Sequence, residues 1–306
     1  MKNNLAYKIF FIVLQLLGIF IITFLLLHLI PGDPIQVMLG ESASIADQTL
    51  LRSQLGLDQA IHIQLWNSFS QIIQGDFGYS IINQTPVIGK LIEAIKNTYM
   101  LAFCALIIAL FFGLSGGIIS AKYRDTIIDR ALINLSLAFI SIPHFLLGPL
   151  LILFFSIWLG LLPVSGMNSS TSIILPAFTL ALSLLAIIIK MTRNCMIEIF
   201  ESDAVRTARA KGLDEWKIII HHIFRLALMP IVTIIGLQFG SLLSGAVITE
   251  TIFSWNGLGK LLVESIQTRD YPVTQACVFV IAVSYIAVNS ITEIIYTRVD
   301  PRVRTK

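Results

Sequence analysis

Six stretches of this chain are almost free of charge, and each is at least close to the roughly 20 residues a helix needs to cross a bilayer. They cover residues 9–30, 99–121, 131–159, 173–191, 230–248 and 275–296. In hydrocarbon every backbone N–H and C=O must be bonded within the protein, so such runs fold as membrane-spanning helices. Composition agrees. Of 306 residues, 56% are hydrophobic and 13% charged, which sets the chain apart from soluble domains. The expected fold is an all-α integral membrane protein with six transmembrane helices.

Lys2 and Lys8 precede the first apolar run, as in a secretion signal. The run is longer than a signal core, and Pro31-Gly32-Asp33-Pro34 follows it in place of a small-x-small cleavage site, so a retained span is expected. The basic residues then set orientation. With the N-terminus inside, the cytoplasmic segments hold sixteen of the 21 Lys and Arg: Lys2, Lys8, Lys122, Arg124, Arg130, Lys190, Arg193, Arg206, Arg209, Lys211, Lys217, Arg225, Arg298, Arg302, Arg304 and Lys306. Arg52, Lys90, Lys96, Lys260 and Arg269 fall outside. Positive charge is retained on the inner side, so both termini are cytoplasmic. The basic surplus thus reports topology, and nucleic-acid binding finds no support. Cys104, Cys195 and Cys277 are far apart and read as small apolar fillers, not as a disulfide or metal framework.

Two polar segments interrupt the spans. Residues 31–96 form the sizeable outer segment, with Asp33, Glu41, Asp47, Asp58, Asp76 and Glu93. Within it, residues 61–73 have helical spacing with Trp66 and Phe69 on one side, and Gly75-Asp76-Phe77-Gly78-Tyr79-Ser80 reads as a turn. The segment is small for a solute-binding domain with its own cleft. It suits a lid or docking ledge for a separate binding protein, or a structural cap. Residues 198–230 are the longest polar interruption in the second half. Ser202 or Asp203 can cap a helix start, Gly212 can end it in the left-handed conformation, and Ala204, Ala208 and Ala210 keep its relief low. Such a helix suits a partner's groove. A solvated basic loop is the other reading.

Within the spans, Pro143 and Pro149 free backbone carbonyls and kink or break the third helix. His144, beside that kink, and His28, near the outer end of the first span, each read as a bonded structural histidine or as a contact for solute. In the fifth span Gly236, Gly240 and Ser244 recur every four residues on one smooth face, with Gln238 and Ser241 as its polar groups. That face is a tight helix interface or a pore wall. Glu250 ends the span as a candidate polar contact with partner or solute. Gly113, Gly116 and Gly117 give the second span a similar small-residue stripe. There is no G-x-x-x-x-G-K-[ST] phosphate loop, no H-E-x-x-H and no G-x-S-x-G. The span interiors lack the acidic and basic residues an ion-coupled transporter uses. An importer subunit driven by ATP hydrolysed elsewhere fits these features better than a membrane enzyme or a secondary transporter.

The run Ala204-Val205-Arg206-Thr207-Ala208-Arg209-Ala210-Lys211-Gly212-Leu213, followed by His222, Arg225, Ala227-Leu228 and Pro230, resembles the cytoplasmic signature of binding-protein-dependent ABC importer permeases, closest to the peptide/nickel branch. Of the general E-A-A-x-x-x-G pattern only Ala208 matches in the first three positions, with Gly212 closing it, as in that branch's variant. Ile30-Pro31-Gly32-Asp33-Pro34, the G-L-D at 56–58, the G-D-F-G-x-S at 75–80, Ile252-Phe253-Ser254-Trp255-Asn256-Gly257-Leu258-Gly259, Arg269-Asp270-Tyr271-Pro272-Val273 and Asp300-Pro301-Arg302-Val303-Arg304 resemble further family elements in the same order. Asn256 stands where the family has proline, a change expected to loosen the turn.

The resemblance implies a type I ABC importer permease fold in the cell (cytoplasmic/inner) membrane. It implies a first span with cytoplasmic N-terminus (1–30), an extracytoplasmic domain (31–96), a five-helix core (97–297) carrying the coupling segment 198–230, and a cytoplasmic tail (298–306). Asp203, Ala204, Arg206, Thr207, Ala208, Arg209, Ala210, Lys211 and Gly212 would form the coupling helix on the ATP-binding subunit. Implied partners are a second homologous permease, two ABC ATP-binding subunits and an extracytoplasmic solute-binding protein. The chain itself would be non-catalytic and bind no cofactor, ATP and Mg belonging to the partner subunits. The implied cargo is a di- or oligopeptide, with nickel or a metal–chelator complex as the alternative.

Overall fold

The protein is described here from a computed structural model, which describes residues 2–29, 34–39 and 44–299. For some helical residues, Ser241 and Ser244 among them, only the backbone is described. Most of the first L-I-P-G-D-P element (Ile30 to Asp33), Glu41 and the closing D-P-R-x-R lie outside the described residues.

The described chain is helical. In order come α1 (Lys2–Leu29), α2 (Pro34–Leu39), α3 (Ile45–Gln54), α4 (Ile61–Ile73), α5 (Val87–Lys122), α6 (Ile127–Ser141), α7 (His144–Leu151), α8 (Ile174–Phe200), α9 (Asp203–Ala210), α10 (Glu215–Ile218), α11 (Arg225–Ile252), α12 (Leu258–Gln267) and α13 (Tyr271–Val299). Among the described residues four helices are long and apolar enough to cross a membrane, or up to six spans if each of two bent pairs counts as one. The expected second span lies within a longer helix: α5 has 36 residues, about 54 Å at the usual rise and well over a bilayer core.

The third expected span is not one kinked helix. Between α6 and α7 the axis turns by 108°. Proline cannot donate to the helical ladder and pushes the preceding residue out of the helical region. Ile142 is accordingly extended (φ −87°, ψ 118°) ahead of Pro143. After Pro149 the helix loosens to π-type over Ile152–Trp158. A second bend, of 51°, falls at Pro230 in the fifth expected span.

The chain forms two compact units, Met1–Thr98 with Asn256–Ile286, and Tyr99–Trp255 with Ala287–Lys306. This division groups the 256–286 segment with the outer segment, where the sequence reading kept 97–297 together. In the first unit, Val87, Leu91 and Ala94 of α5 pack with Leu258, Val273, Ala276 and Cys277. Phe20 of α1 meets Phe69 of α4 at 5.5 Å between ring centres. In the second unit α8 is the hub. Leu180, Leu184 and Ile188 are buried with Leu101 and Ala105 of α5, Leu242 and Ala246 of α11, and Trp255. The glycine stripe of α5 is what lets that helix approach. A Cβ on Gly117 would lie 2.5 Å from Thr192 Cβ, and one on Gly113 would lie 2.8 Å from Ile188 Cγ2. Much of the remaining apolar surface is uncovered, Phe111, Ile157 and Trp158 among it. A soluble monomer does not carry such surface, whereas lipid or a partner helix covers it without cost.

Candidate functional site

Within residues 198–230, Asp203–Ala210 form a short helix where the spacing places it. Ser202 is extended at the N-cap position, but its side chain makes no capping bond. Gly212 ends the helix with φ +74°, in the left-handed region, and its N–H donates to Arg209 O at 2.9 Å. The helix has two faces. Val205 and Ala208 are buried in a core with Ala121, Met196, Ile218, Ile219, Ile223 and Ala227. Asp203, Ala204, Arg206, Thr207, Arg209, Ala210 and Lys211 are exposed. Ala208 therefore seats α9 on its own bundle, while Arg206, Thr207 and Ala210 lie on the outward side. Arg209 Nε donates to Glu215 Oε1 at 2.8 Å and fixes the turn into α10. Beside it, Lys122 Nζ lies 3.5 Å from the ring centre of half-exposed Trp216, a cation–π contact. Neither Trp216 nor Lys122 had a signal in the sequence, because their pairing needs two distant turns to meet.

The described residues among those expected along the pathway have different surroundings. Exposed Pro143 caps α7. His144 Nε2 lies 3.2 Å from Ser183 Oγ on α8, so its ring ties the break to the hub helix. Gly236 faces α13, and a Cβ there would lie 2.2 Å from Thr292 Cγ2, which is the interface reading of that face. Gly240 is buried and Gln238 half-buried. The side chains of Ser241 and Ser244 are outside the described set. Glu250 is fully buried and does not stand open at the outer face. The chain after α11 folds back over it: Trp255 N donates to Glu250 O at 2.8 Å, and Phe253 O accepts from Gly166 N, also at 2.8 Å.

In the outer unit two of the motifs meet. Asp270 accepts hydrogen bonds from Ser80 Oγ and from Ile81 N at 3.0 Å, and Ser80 and Asp270 are both buried. The turn at Asn256 is held, not loosened. Its carbonyl accepts from Asn97 Nδ2 at 2.7 Å, its side-chain oxygen accepts from Lys260 Nζ at 2.8 Å, and Leu258 N donates to Thr98 Oγ1 at 2.8 Å. Of these bonds, the one from Lys260 is made by the Asn256 side chain itself. Both ring nitrogens of His28 have partners: Nδ1 sits 2.8 Å from Phe24 O and Nε2 sits 3.1 Å from Gln64 Oε1. It borders an open cleft of about 500 Å³, lined also by Gln64, Asn67, Tyr79, Tyr271 and Gln275.

An apolar helical bundle with much uncovered surface and a small two-faced helix between two candidate spans is the build of a membrane-embedded protein with room for partners. Residues 113–305 match the family described as the binding-protein-dependent transport system inner membrane component, and residues 1–102 match its N-terminal counterpart. The glutathione transport system permease proteins GsiC of Salmonella choleraesuis (strain SC-B67) and Escherichia coli (strain K12) are 38% and 37% identical to the chain over 306 residues, covering all of both partners. Among solved structures, a chain of the MetNI methionine ABC transporter in an inward-facing conformation superposes with TM-score 0.59 at 18% identity, over 70% of this chain and 97% of that one. The chain belongs to the binding-protein-dependent transport system inner membrane component family, in its peptide/nickel branch. It is the permease subunit of an ABC importer, a non-catalytic multi-pass protein of the inner membrane. ATP is bound by a partner ATPase, and a binding protein is the other partner the family implies.

Proposed function

We propose that the importer carries short peptides of the size and polarity of glutathione. The observation that carries this is full-length similarity, at 37–38% identity, to permeases of glutathione transport systems. Nickel or metal–chelator import by the same mechanism is the second reading, suggested by the branch.

In this proposal the exposed face of α9 docks on one of two ATP-binding subunits, and a second, homologous permease covers part of the apolar surface. The two permeases enclose a cavity that opens alternately to either side. Closure of the nucleotide subunits moves α9, and solute passes from its binding protein into the cavity. The outer segment serves as the ledge on which the binding protein sits.

The test is uptake into proteoliposomes holding the complete complex and its binding protein. Labelled glutathione is competed with dipeptides, an oligopeptide and a nickel–histidine chelate. Competition by peptides alone is expected. Competition by the chelate alone would replace peptides with metal complexes as cargo.

A further inference from the structure

The least expected feature of the cytoplasmic side is a carboxylate with four donors. Asp129, near the start of α6, is buried. Its Oδ1 accepts from Arg193 Nε at 2.7 Å and from Ser120 Oγ at 2.5 Å. Its Oδ2 accepts from Arg193 Nη2 at 2.7 Å and from Asp125 N at 2.9 Å. The guanidinium fork thus grips both carboxylate oxygens, a geometry that fixes orientation as well as distance. Ser120 belongs to α5 and Arg193 to α8, so one side chain ties the ends of three helices. A weaker exposed pair joins the same places: Arg124 Nη1 lies 3.3 Å from Glu201 at the end of α8.

Position gives this knot its meaning. Arg193 lies in the last turns of α8, and Glu201 and Ser202 lead directly into α9. A displacement of α9 bears on α8 through the chain, and on Ala121 of α5 and residues 218–227 through the core that Val205 and Ala208 share with them. Arg193 and Asp129 thus link α8 to α5 and α6 at this end, beside the exposed Arg124–Glu201 pair and the close glycine packing of α5 on α8. The fork holds a buried carboxylate through two bonds, whereas the Arg124–Glu201 pair is exposed.

We propose that Asp129 and Arg193 are positioning residues for coupling: they transmit the displacement of α9 into α5 and α6, so that ATP hydrolysis on the partner turns the transmembrane helices. The proposal rests on the docking role given to α9 above. Stability is not a sufficient account of the pair, since replacing a buried ion pair by apolar residues of similar volume is often neutral or stabilising.

The experiment uses the whole importer with its binding protein in proteoliposomes. It compares wild type with the double variant Asp129→Leu/Arg193→Leu and with Arg193→Lys, which keeps the charge and loses the fork. The readouts are complex assembly, thermal stability, and labelled glutathione taken up per ATP hydrolysed. The expected result is normal assembly, a lower melting temperature in the double variant because Ser120 Oγ and Asp125 N lose their acceptor, and uptake per ATP lowered about 3- to 30-fold in the double variant and less in Arg193→Lys. An assembled variant with the wild-type ratio would overturn the proposal. So would failure of both variants to assemble, which would make the pair a folding element. The docking role is read separately, by retention of the ATPase in Ala210→Trp. Loss of coupling in complexes that keep their ATPase therefore cannot be confused with loss of docking.

Discussion

Ala208 and Ala210 are two residues apart and do different work. Ala208 is buried against the bundle, whereas Ala210 is exposed on the far side of α9. Tryptophan at the two positions therefore gives opposite results. Ala208→Trp overpacks a core and is expected to destabilise the chain by about 1–3 kcal/mol, seen as a lower melting temperature in detergent. Ala210→Trp should leave melting nearly unchanged, within about 0.5 kcal/mol, and lose the ATPase on affinity purification. ATPase recovery at the wild-type level would remove α9 as the docking face. In the outer unit, Asp270→Ala leaves Ser80 Oγ and Ile81 N without their acceptor. Stranding buried donors costs about 1–3 kcal/mol. Limited proteolysis should then cut faster near residues 75–86, and an unchanged cutting rate would mean that Asp270 does not hold that turn.

Among the elements, close helix approach is the recurring device. Hydrophobic burial does not drive helices together within lipid, so small residues that admit close contact carry the packing. The α11–α13 contact at Gly236 is the sharpest case, with Thr292 already where a side chain would go. Gly236→Val should lower thermal stability, and Thr292→Gly in the same chain should restore much of it, because the two atoms compete for one space. Absence of rescue would show that Gly236 is needed for something other than this contact, such as room for solute. The third expected span teaches the complementary lesson. Its prolines announce a break, and the break is there, but its size of 108° follows from where α6 and α7 each pack on α8 and α11, which no property of the residues at 142–149 states.

For the whole molecule, the function follows from family membership. An importer driven by a partner ATPase needs no ionisable relay of its own, and its uptake should persist when ionophores collapse proton and sodium gradients, provided ATP is supplied. Uptake that stops with the gradients while ATP remains would favour ion coupling instead. The sequence by itself determined the membrane class, the short helix at 203–210 with its Gly212 stop, and the family, because hydropathy, turn chemistry and local motifs act over a few residues at a time. Only the tertiary structure decided which face of α9 is outward, that Glu250 is covered, that Gly75–Ser80 and Arg269–Val273 meet through Ser80 and Asp270, and that Asp129 is gripped by Arg193. Each of these depends on residues far apart in the chain being brought within hydrogen-bond or van der Waals distance, and a contact of that kind leaves no periodic trace in a single sequence.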